Sequence, residues 1–147
     1  MEIINIKNDL KYLDEYITLC YLEWSNKQLE LSKYIEYKKD KILNDDNVIF
    51  ILGLVDKELI GFISLFKNDS DERASLTPWY ATMFVKEKYR GKGYSKILND
   101  ALLIETKKLG YKKVYLKSEL INYYEKFKAK YIENLNDSEK LYYIDLI

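Results

Sequence analysis

Apolar and polar positions along the chain alternate between helix-length and strand-length patterns. Apolar residues recur about every 3.6 positions over residues 9–24 and 32–43, which predicts two helices. Short apolar runs bounded by polar residues predict strands at residues 2–6, 48–55, 59–66, 79–85, 113–117 and 141–146. The predicted order is therefore one strand, two helices and then mainly strands.

The connections between these segments have distinct compositions. Asp56-Lys57-Glu58 separates two strand-length runs and predicts a tight hairpin in the centre of the sheet. Residues 67–76 are polar and charged without periodicity, which predicts a loop. Beyond residue 93, an apolar stripe predicts a third helix that packs across the sheet and is capped by Gly110; the stripe consists of Ile97, Leu98, Ala101, Leu102 and Leu109.

These elements predict a single α/β or α+β domain over residues 1–147, with a mixed sheet of six or seven strands. The last strand should pair with a strand at Tyr131. The chain has 147 residues, of which 48% are apolar. A chain of about this length buries about 70% of its unfolded surface, which is enough for one core. We see no repeat, low-complexity tract or linker that would divide it.

Two residue counts exclude several kinds of active site. Cys20 is the only cysteine and histidine is absent, so one chain cannot form a disulfide, a zinc cluster or a Ser-His-Asp triad, and we expect no metal site. The 24 basic and 24 acidic residues balance, which argues against a dedicated nucleic-acid binder. No apolar run approaches the roughly 20 residues that span a bilayer, and the N-terminus lacks a signal-peptide pattern, so we expect a cytoplasmic protein without membrane partners.

The basic turn after residues 79–85 is the most informative segment for function. It reads Phe84-Val85-Lys86-Glu87-Lys88-Tyr89-Arg90-Gly91-Lys92-Gly93-Tyr94-Ser95-Lys96. Gly91 and Gly93 permit a tight turn, after which the first N–H groups of the helix face one point with the positive end of the helix dipole behind them. Residues 85–96 also carry five basic side chains and one acidic one. The segment therefore predicts a phosphate-binding site.

The spacing of the glycines separates this turn from two common phosphate loops. A P-loop needs Gly-x-x-x-x-Gly-Lys-Ser/Thr, which is absent, and a dinucleotide fingerprint needs a third glycine where Lys96 stands. The residues do match Arg-x-x-Gly-x-Gly/Ala, with serine in the last place, as Arg90-Gly91-Lys92-Gly93-Tyr94-Ser95. This segment resembles the coenzyme A pyrophosphate loop of the GCN5-related N-acetyltransferase (GNAT) family.

The resemblance extends over residues 78–131, more than a third of the chain. After the loop come a helix, a strand and the run Asn122-Tyr123-Tyr124-Glu125-Lys126-Phe127, which is similar to the family's aromatic-Tyr-Glu-Lys signature. Family members usually continue with glycine and an aromatic residue, whereas this chain has Lys128 and Ala129. The resemblance implies a GNAT fold, with a mixed, mostly antiparallel sheet flanked by about four helices. It also implies transfer of an acetyl group from acetyl-coenzyme A to a primary amine.

The resemblance assigns roles to particular residues. The N–H groups of Arg90, Gly91, Lys92, Gly93, Tyr94 and Ser95 would hold the pyrophosphate, with electrostatic help from Lys92 and Lys96 unless these are ordinary surface lysines. The backbone of Phe84 and Val85, at a splayed strand end, would receive the acetyl carbonyl. Tyr124 would protonate the departing thiolate, since a phenol of pKa near 10 is protonated at neutral pH.

The general base is not fixed by the sequence. Without histidine it would be a carboxylate or a water chain ordered by one. Glu119 and Glu23 are candidates, and the competing interpretation, which the sequence favours for both, is a solvated helix residue. Asn122 is a candidate ligand of the pantetheine arm, with an N-cap or surface role as the alternative. The aromatic and acidic residues Tyr21, Glu23, Trp24 and Glu72 favour a cationic acceptor, whose identity the sequence does not specify.

Two other functional classes remain open at this point. The chain could bind acyl-coenzyme A without turnover, in keeping with Lys128 and Ala129 in place of the usual residues. The basic turn, with Tyr89 and Tyr94 between its lysines, could instead bind RNA or DNA by stacking and charge. The main prediction includes no nucleic-acid partner, and a homodimer is possible because dimers are common in the family.

Overall fold

A computed structural model describes residues 1–45 and 48–146. Its centre is one seven-stranded sheet in the order β1-β2-β3-β4-β5-β7-β6. Neighbouring strands pair antiparallel except β4 and β5, which are parallel. The strands are β1 (Glu2–Asn5), β2 (Ile49–Val55), β3 (Glu58–Phe66), β4 (Trp79–Val85), β5 (Lys113–Ser118), β6 (Lys130–Asn134) and β7 (Lys140–Asp145). The predicted mixed, mostly antiparallel sheet is confirmed.

Three α-helices cover the two faces of the sheet within the described residues: α1 (Leu13–Trp24), α2 (Leu31–Asn44) and α3 (Tyr94–Lys108). Successive strand residues point to opposite faces, so Phe50 packs with α1 in one core cluster whereas Ile51 packs with α3 in the other. The described helices are one fewer than the four expected. A short 3₁₀ helix, Tyr124–Phe127, stands after β5 where a further α-helix could have formed.

The predicted elements are largely present, with differences at their ends. Residues 9–12 belong to a 3₁₀ turn rather than to α1, because the Asp9 side chain caps that turn by accepting a hydrogen bond from the Lys11 N–H. The hairpin between β2 and β3 is tight, and both Asp56 and Lys57 have positive φ, as a type I′ turn requires. Leu98 and Leu102 of the predicted α3 stripe are buried.

Two other members of that stripe, Ile97 and Leu109, are 42% and 59% exposed. The helix therefore buries a narrower face than its sequence periodicity suggests. Gly110 follows the C-cap Leu109 with φ +95°, and its N–H donates to the Lys107 carbonyl, so it terminates α3 as expected. No helix in residues 1–45 and 48–146 combines the length and the hydropathy needed to cross a membrane.

Strand β4 is irregular in a way that shapes the surface beside it. It pairs with β3 on both sides of a bulge at Thr82, whose φ of +52° is in the left-handed region. On its other edge it shares only the register pair Trp79↔Tyr115 with β5. Beyond Trp79 the two strands diverge, and a gap opens between their carboxyl ends.

We expect Gly61→Ala to lower the free energy of unfolding by about 1–3 kcal/mol. Gly61 lies opposite the end of β4, and an added Cβ would stand 2.7 Å from the Phe84 carbonyl oxygen, so the backbones of β3 and β4 would have to separate. The matched control is Gly53→Ala, whose Cβ would meet the flexible end of Met1. Urea denaturation measures both variants, and equal stability of the two would contradict this account of β4.

Candidate active site

A turn between β4 and α3 presents backbone N–H groups to the gap. A 3₁₀ helix (Glu87–Tyr89) follows β4, and Gly91 and Gly93 then take φ values of +76° and +82°, which only glycine adopts without strain. Gly93 is the N-cap of α3. The 15-residue helix that begins at Tyr94 therefore directs its unpaired first N–H groups and its positive dipole end at one point.

The Arg90 side chain ties this turn back to the end of β4. Its Nε donates a hydrogen bond of 2.7 Å to the Val85 carbonyl oxygen. The guanidinium also lies 5.8 Å from the centre of the Phe84 ring, within cation–π range. The Arg90 side chain thus fixes the position of the turn next to the end of β4. The predicted role of Arg90 in binding pyrophosphate belongs instead to its backbone N–H.

Most of the basic side chains around the turn have acidic partners. Lys86 lies 3.0 Å from Glu15, Lys88 lies 3.7 Å from Glu58, and Lys96 lies 2.7 Å from Asp100. Lys92 instead stands 5.6 Å from the ring centre of Tyr89. The excess positive charge read from the sequence is therefore largely neutralised, and the backbone N–H groups are the principal donors for an anion.

A groove of about 630 Å³ begins at this turn and runs between the carboxyl end of β4 and the segment that follows β5. We call it the cofactor groove. Eight of the residues predicted for the site line it: Phe84, Val85, Arg90, Gly91, Gly93, Tyr94, Ser95 and Tyr124. Other lining residues include Glu23, Met83, Tyr89, Lys96, Leu120, Tyr123, Lys126 and Phe127. Segments far apart in sequence thus come together at one elongated depression, whose volume is typical of small-molecule sites.

Three predicted site residues do not line the groove: Lys92, Glu119 and Asn122. Glu119 directly follows β5 and is exposed. Asn122 is also exposed and has φ +57°, a backbone conformation that asparagine tolerates better than most residues. Their roles stay predictions, whereas Glu23 at the end of α1 does border the groove.

The open edge of β4 places the Val85 backbone toward the groove. The Lys86 N–H donates to the Ile60 carbonyl on β3, at 2.8 Å. Because backbone groups alternate between the two edges of a strand, the Val85 N–H and C=O point to the other edge, where β5 has diverged. The Arg90 side chain binds that carbonyl, so the Val85 N–H is the donor directed at the groove.

Tyr124 lies at the wall of the groove within a cluster of aromatic rings. Its ring contacts Tyr123 and Tyr80 edge to face, at centroid distances of 4.8 and 5.9 Å. Burial raises the pKa of Tyr124 to about 12, and Tyr123 adds to the rise. The phenol is therefore protonated throughout the physiological pH range.

Lys128 occupies a backbone position that suits glycine. It follows the 3₁₀ helix of Tyr124 with φ +69° and ψ +21°, in the left-handed region. The family's usual glycine at this place has a physical reason, and this chain forms the same turn with lysine. Ala129 is 95% buried, and its N–H donates to the Tyr124 carbonyl at 3.2 Å. The departure from the family pattern thus leaves the turn after Tyr124 intact.

A second cavity, of about 440 Å³, lies on the α1–α2 side of β4. We call it the aromatic cavity, because Tyr16, Trp24, Tyr34, Phe50 and Phe66 line it. Its polar lining consists of Cys20, Lys38, Lys41, Asp45, Asn68, Asp69 and Thr82. The sequence analysis named only Trp24 and Cys20 from these residues. No motif marks the others, and only the folding of α1, α2 and the loop after β3 around the bulge brings them together.

The two depressions share β4 as a wall. Thr82 lines the aromatic cavity, whereas the next two residues, Met83 and Phe84, line the cofactor groove. The Thr82 hydroxyl oxygen is buried near the Tyr16 hydroxyl, without hydrogen-bond geometry to any residue that the structure describes. Trp24, which lines the aromatic cavity, packs edge to face on Phe84 at 6.3 Å. A molecule in one depression would therefore be separated from the other by a single strand.

Comparison with known proteins identifies the fold and family. The model of the "Acetyltransferase (GNAT) family" matches residues 11–128. A search of curated proteins by sequence gave no significant match. Aminoglycoside 6'-N-acetyltransferase from Enterococcus faecium superposes with a TM-score of 0.74 at 16% identity, covering 100% of this chain and 98% of that one. PaiA N-acetyltransferase from Thermoplasma acidophilum, in complex with coenzyme A, gives a TM-score of 0.65 at 22% identity, covering 99% of both chains.

A second aminoglycoside 6'-N-acetyltransferase structure, also complexed with coenzyme A, gives a TM-score of 0.73 at 16% identity, over 100% of this chain and 98% of that one. At these identities the structural similarity establishes the fold. The family match covers most of the chain and includes the turn between β4 and α3 and Tyr124. The chain belongs to the GNAT family of acetyltransferases, with acetyl-coenzyme A as the typical co-substrate of that family.

Proposed function

We propose that residues 1–147 form one N-acetyltransferase domain, which transfers the acetyl group of acetyl-coenzyme A to the primary amine of an acceptor. The observation that carries the proposal is the continuous cofactor groove, which joins the N-terminus of α3 to the open edge of β4 and to Tyr124. The structural relatives named above are described as acting on aminoglycosides or as binding coenzyme A. A cytoplasmic location and a homodimer are further predictions.

The turn between β4 and α3 would hold the pyrophosphate of the co-substrate through its backbone N–H groups. The N–H groups between Gly91 and Lys96 converge at the start of α3, where the helix dipole adds a favourable field. The acyl arm would then follow the gap beyond Trp79, where β4 offers N–H and C=O groups that β5 does not bind. Polar groups of an extended arm can pair with such an edge as an added strand would.

The Val85 N–H is suited to the acetyl carbonyl. As the amine nitrogen attacks, the carbonyl oxygen becomes an oxyanion, and a fixed N–H directed at it stabilises the transition state without reorganisation. Arg90 holds the carbonyl of the same residue and so keeps the strand end in place. Phe84 and Val85 were both predicted to receive the acetyl carbonyl. The proposal selects Val85, because its N–H faces the groove.

Tyr124 would act on the sulfur. With a pKa of about 12, the phenol would transfer its proton fully to a thiolate of pKa about 8.5 only at a cost of about 5 kcal/mol, at 1.36 kcal/mol per pKa unit. A hydrogen bond to the thiolate as the C–S bond breaks avoids that cost and still stabilises the leaving group. The proton that remains on the sulfur then comes from the nitrogen, which loses it as the amide forms.

Two alternatives have less support. The paired lysines of the turn leave little free positive charge for a nucleic acid, whose binding depends on phosphate contacts by basic side chains. A module that only stores acyl-coenzyme A needs neither a buried phenol beside the groove nor a second cavity across β4.

Glu119 stays the predicted general base, and a Glu119→Gln variant with an unaltered pH profile would remove that assignment.

Substitution of both turn glycines should abolish binding of acetyl-coenzyme A. In a Gly91→Asp/Gly93→Asp variant, two carboxylates would stand at the anion site and two non-glycine residues would have to adopt positive φ. We expect micromolar affinity of the unaltered protein and at least a hundredfold loss in the variant, measured by calorimetric titration.

The control for this titration is Gly110→Asp, because Gly110 also has positive φ but lies at the opposite end of α3. It should bind acetyl-coenzyme A normally. Equal binding by all three proteins, or no binding by any, would refute the proposed cofactor site.

Removal of the Tyr124 hydroxyl should slow turnover without weakening cofactor binding. We expect Tyr124→Phe to lower kcat by about a hundredfold, the lower range for loss of a hydrogen-bond donor to a developing charge, with an unchanged Kd for acetyl-coenzyme A. The control is Tyr131→Phe, on β6, whose hydroxyl bonds Asn134 at the surface. An unchanged kcat in Tyr124→Phe would exclude the role.

The pH profile tests the same assignment in the unaltered protein. Because the pKa of Tyr124 is raised to about 12, its proton is lost only above about pH 11. The rate should therefore rise with pH as the acceptor amine loses its proton, with no fall caused by Tyr124 below pH 10. A descending limb near pH 9 that disappears in Tyr124→Phe would contradict the raised pKa.

A further inference from the structure

We propose that the acceptor is a small primary amine with a single positive charge and an aromatic or other apolar body, and that it occupies the aromatic cavity. This inference rests on the proposed acetyltransferase function and deepens it, because it specifies the acceptor. It also distinguishes this chain from relatives whose described substrates are aminoglycosides, which carry several amines. Three properties of the cavity carry the argument: its rings, its charges and its position.

The rings form a connected aromatic lining. Tyr16 contacts Phe50 at a centroid distance of 5.5 Å, and Phe50 contacts Phe66 at 5.8 Å. Trp24 and Tyr34 complete the lining from α1 and α2. Such rings bury the apolar body of a ligand, and their faces also attract an ammonium group. The volume of about 440 Å³ is in the lower part of the range for small-molecule pockets, which suits a one- or two-ring amine.

The charges of the lining favour one ammonium group over several. Asp69, on the loop after β3, and Asp45 supply carboxylates, whereas Lys38 and Lys41 of α2 supply two ammonium groups. A polyamine or an aminoglycoside would bring its additional positive charges toward these lysines. Sites for such polycations need more carboxylates than ammonium groups, whereas this lining has two of each.

Lys38 is directed toward the cavity interior. Its Nζ lies 5.7 Å from the ring centre of Tyr34, and it makes no ion pair with any residue that the structure describes. Burial raises the pKa of the Cys20 thiol to about 11, and the nearby Lys38 charge opposes that rise. Both observations place the Lys38 ammonium group beside the aromatic cavity rather than in bulk solvent.

Asp69 is the carboxylate best placed to attract the acceptor ammonium into the cavity, before the amine loses its proton and moves to the thioester. It is half-buried, and burial raises the pKa of its carboxyl. Lys117 on β5 opposes this rise, and Glu139 of the hairpin between β6 and β7 adds to it. An ammonium ion in the cavity would compensate the desolvated carboxylate, as partly buried ion pairs do.

The position of Thr82 connects the cavity with the chemistry. Its buried hydroxyl lies near the Tyr16 hydroxyl without hydrogen-bond geometry to it, so a bound amine would offer it a better partner. The bulge turns Thr82 into the aromatic cavity while Met83 and Phe84 face the cofactor groove. The body of the acceptor would occupy the cavity beside Thr82, and its amine nitrogen would extend past the open edge of β4 to contact the thioester carbon, with Thr82 as a positioning residue.

The first test compares acceptors by release of free coenzyme A thiol. Phenethylamine and tryptamine represent aromatic monoamines, and spermidine and kanamycin represent polycations. We expect kcat/KM to be at least tenfold higher for the monoamines than for either polycation. Equal or higher values for the polycations would overturn the inference while leaving the acetyltransferase function intact.

Charge variants with matched controls locate the acceptor. Asp69→Asn should raise KM for phenethylamine about tenfold with an unchanged Kd for acetyl-coenzyme A, whereas Asp71→Asn, exposed on the same loop, should change neither. Lys38→Glu should raise kcat/KM for spermidine at least fivefold relative to phenethylamine. Lys33→Glu makes the same charge change on the outer side of α2 and should not. No difference between each variant and its control would refute the assignment.

Amine binding without the co-substrate separates this inference from the proposed function. Trp24 lines the cavity and is half-exposed, whereas Trp79 is fully buried, so phenethylamine should change the emission of Trp24. The change should disappear in Trp24→Phe and weaken in Asp69→Asn. If this binding occurs but acetyl-coenzyme A does not bind, the transferase function fails and the cavity assignment stands. If acetyl-coenzyme A binds but phenethylamine does not, the cavity assignment fails.

Discussion

The divergence of β4 from β5 is the constraint on which the rest of the site depends. A strand inside a sheet normally pairs on both edges, and backbone N–H and C=O groups that lose their partners are costly when buried. Here β4 keeps its pairing with β3 and gives up its pairing with β5 after one register pair. The resulting open edge presents backbone polar groups to the cofactor groove, where an extended ligand with amide groups would pair with them.

The bulge at Thr82 has a complementary effect on the other face of the sheet. It shifts the alternation of side chains along β4. Thr82 therefore lines the aromatic cavity, whereas Met83 and Phe84 line the cofactor groove. Each substrate would then have a depression of its own, and the acceptor nitrogen would reach the thioester past the open edge of β4. The electrostatics agree with this division, since the groove relies on backbone donors whereas the aromatic cavity carries charged side chains of both signs.

The sequence predicted the fold because its signals were local. Apolar periodicity and the polar triplet Asp56-Lys57-Glu58 between two apolar runs are properties of short segments, and Gly91 and Gly93 mark a turn that few other residues could form. Features that depend on packing between distant segments were less predictable from the sequence. Threonine carries no signal for a bulge, Ile97 and Leu109 follow the helix period but remain exposed, and Asp69 reaches its cavity only through the path of a loop. The pairing of the turn's lysines with Glu15 and Glu58 likewise joins distant segments.

A crystal structure of the protein with coenzyme A tests the central claim most directly. Our account predicts the pyrophosphate within hydrogen-bonding distance of the N–H groups between Gly91 and Lys96, the pantetheine arm in the gap between β4 and β5, and the sulfur beside the Tyr124 hydroxyl. A pyrophosphate held by lysine side chains elsewhere on the surface, with the gap empty, would contradict it.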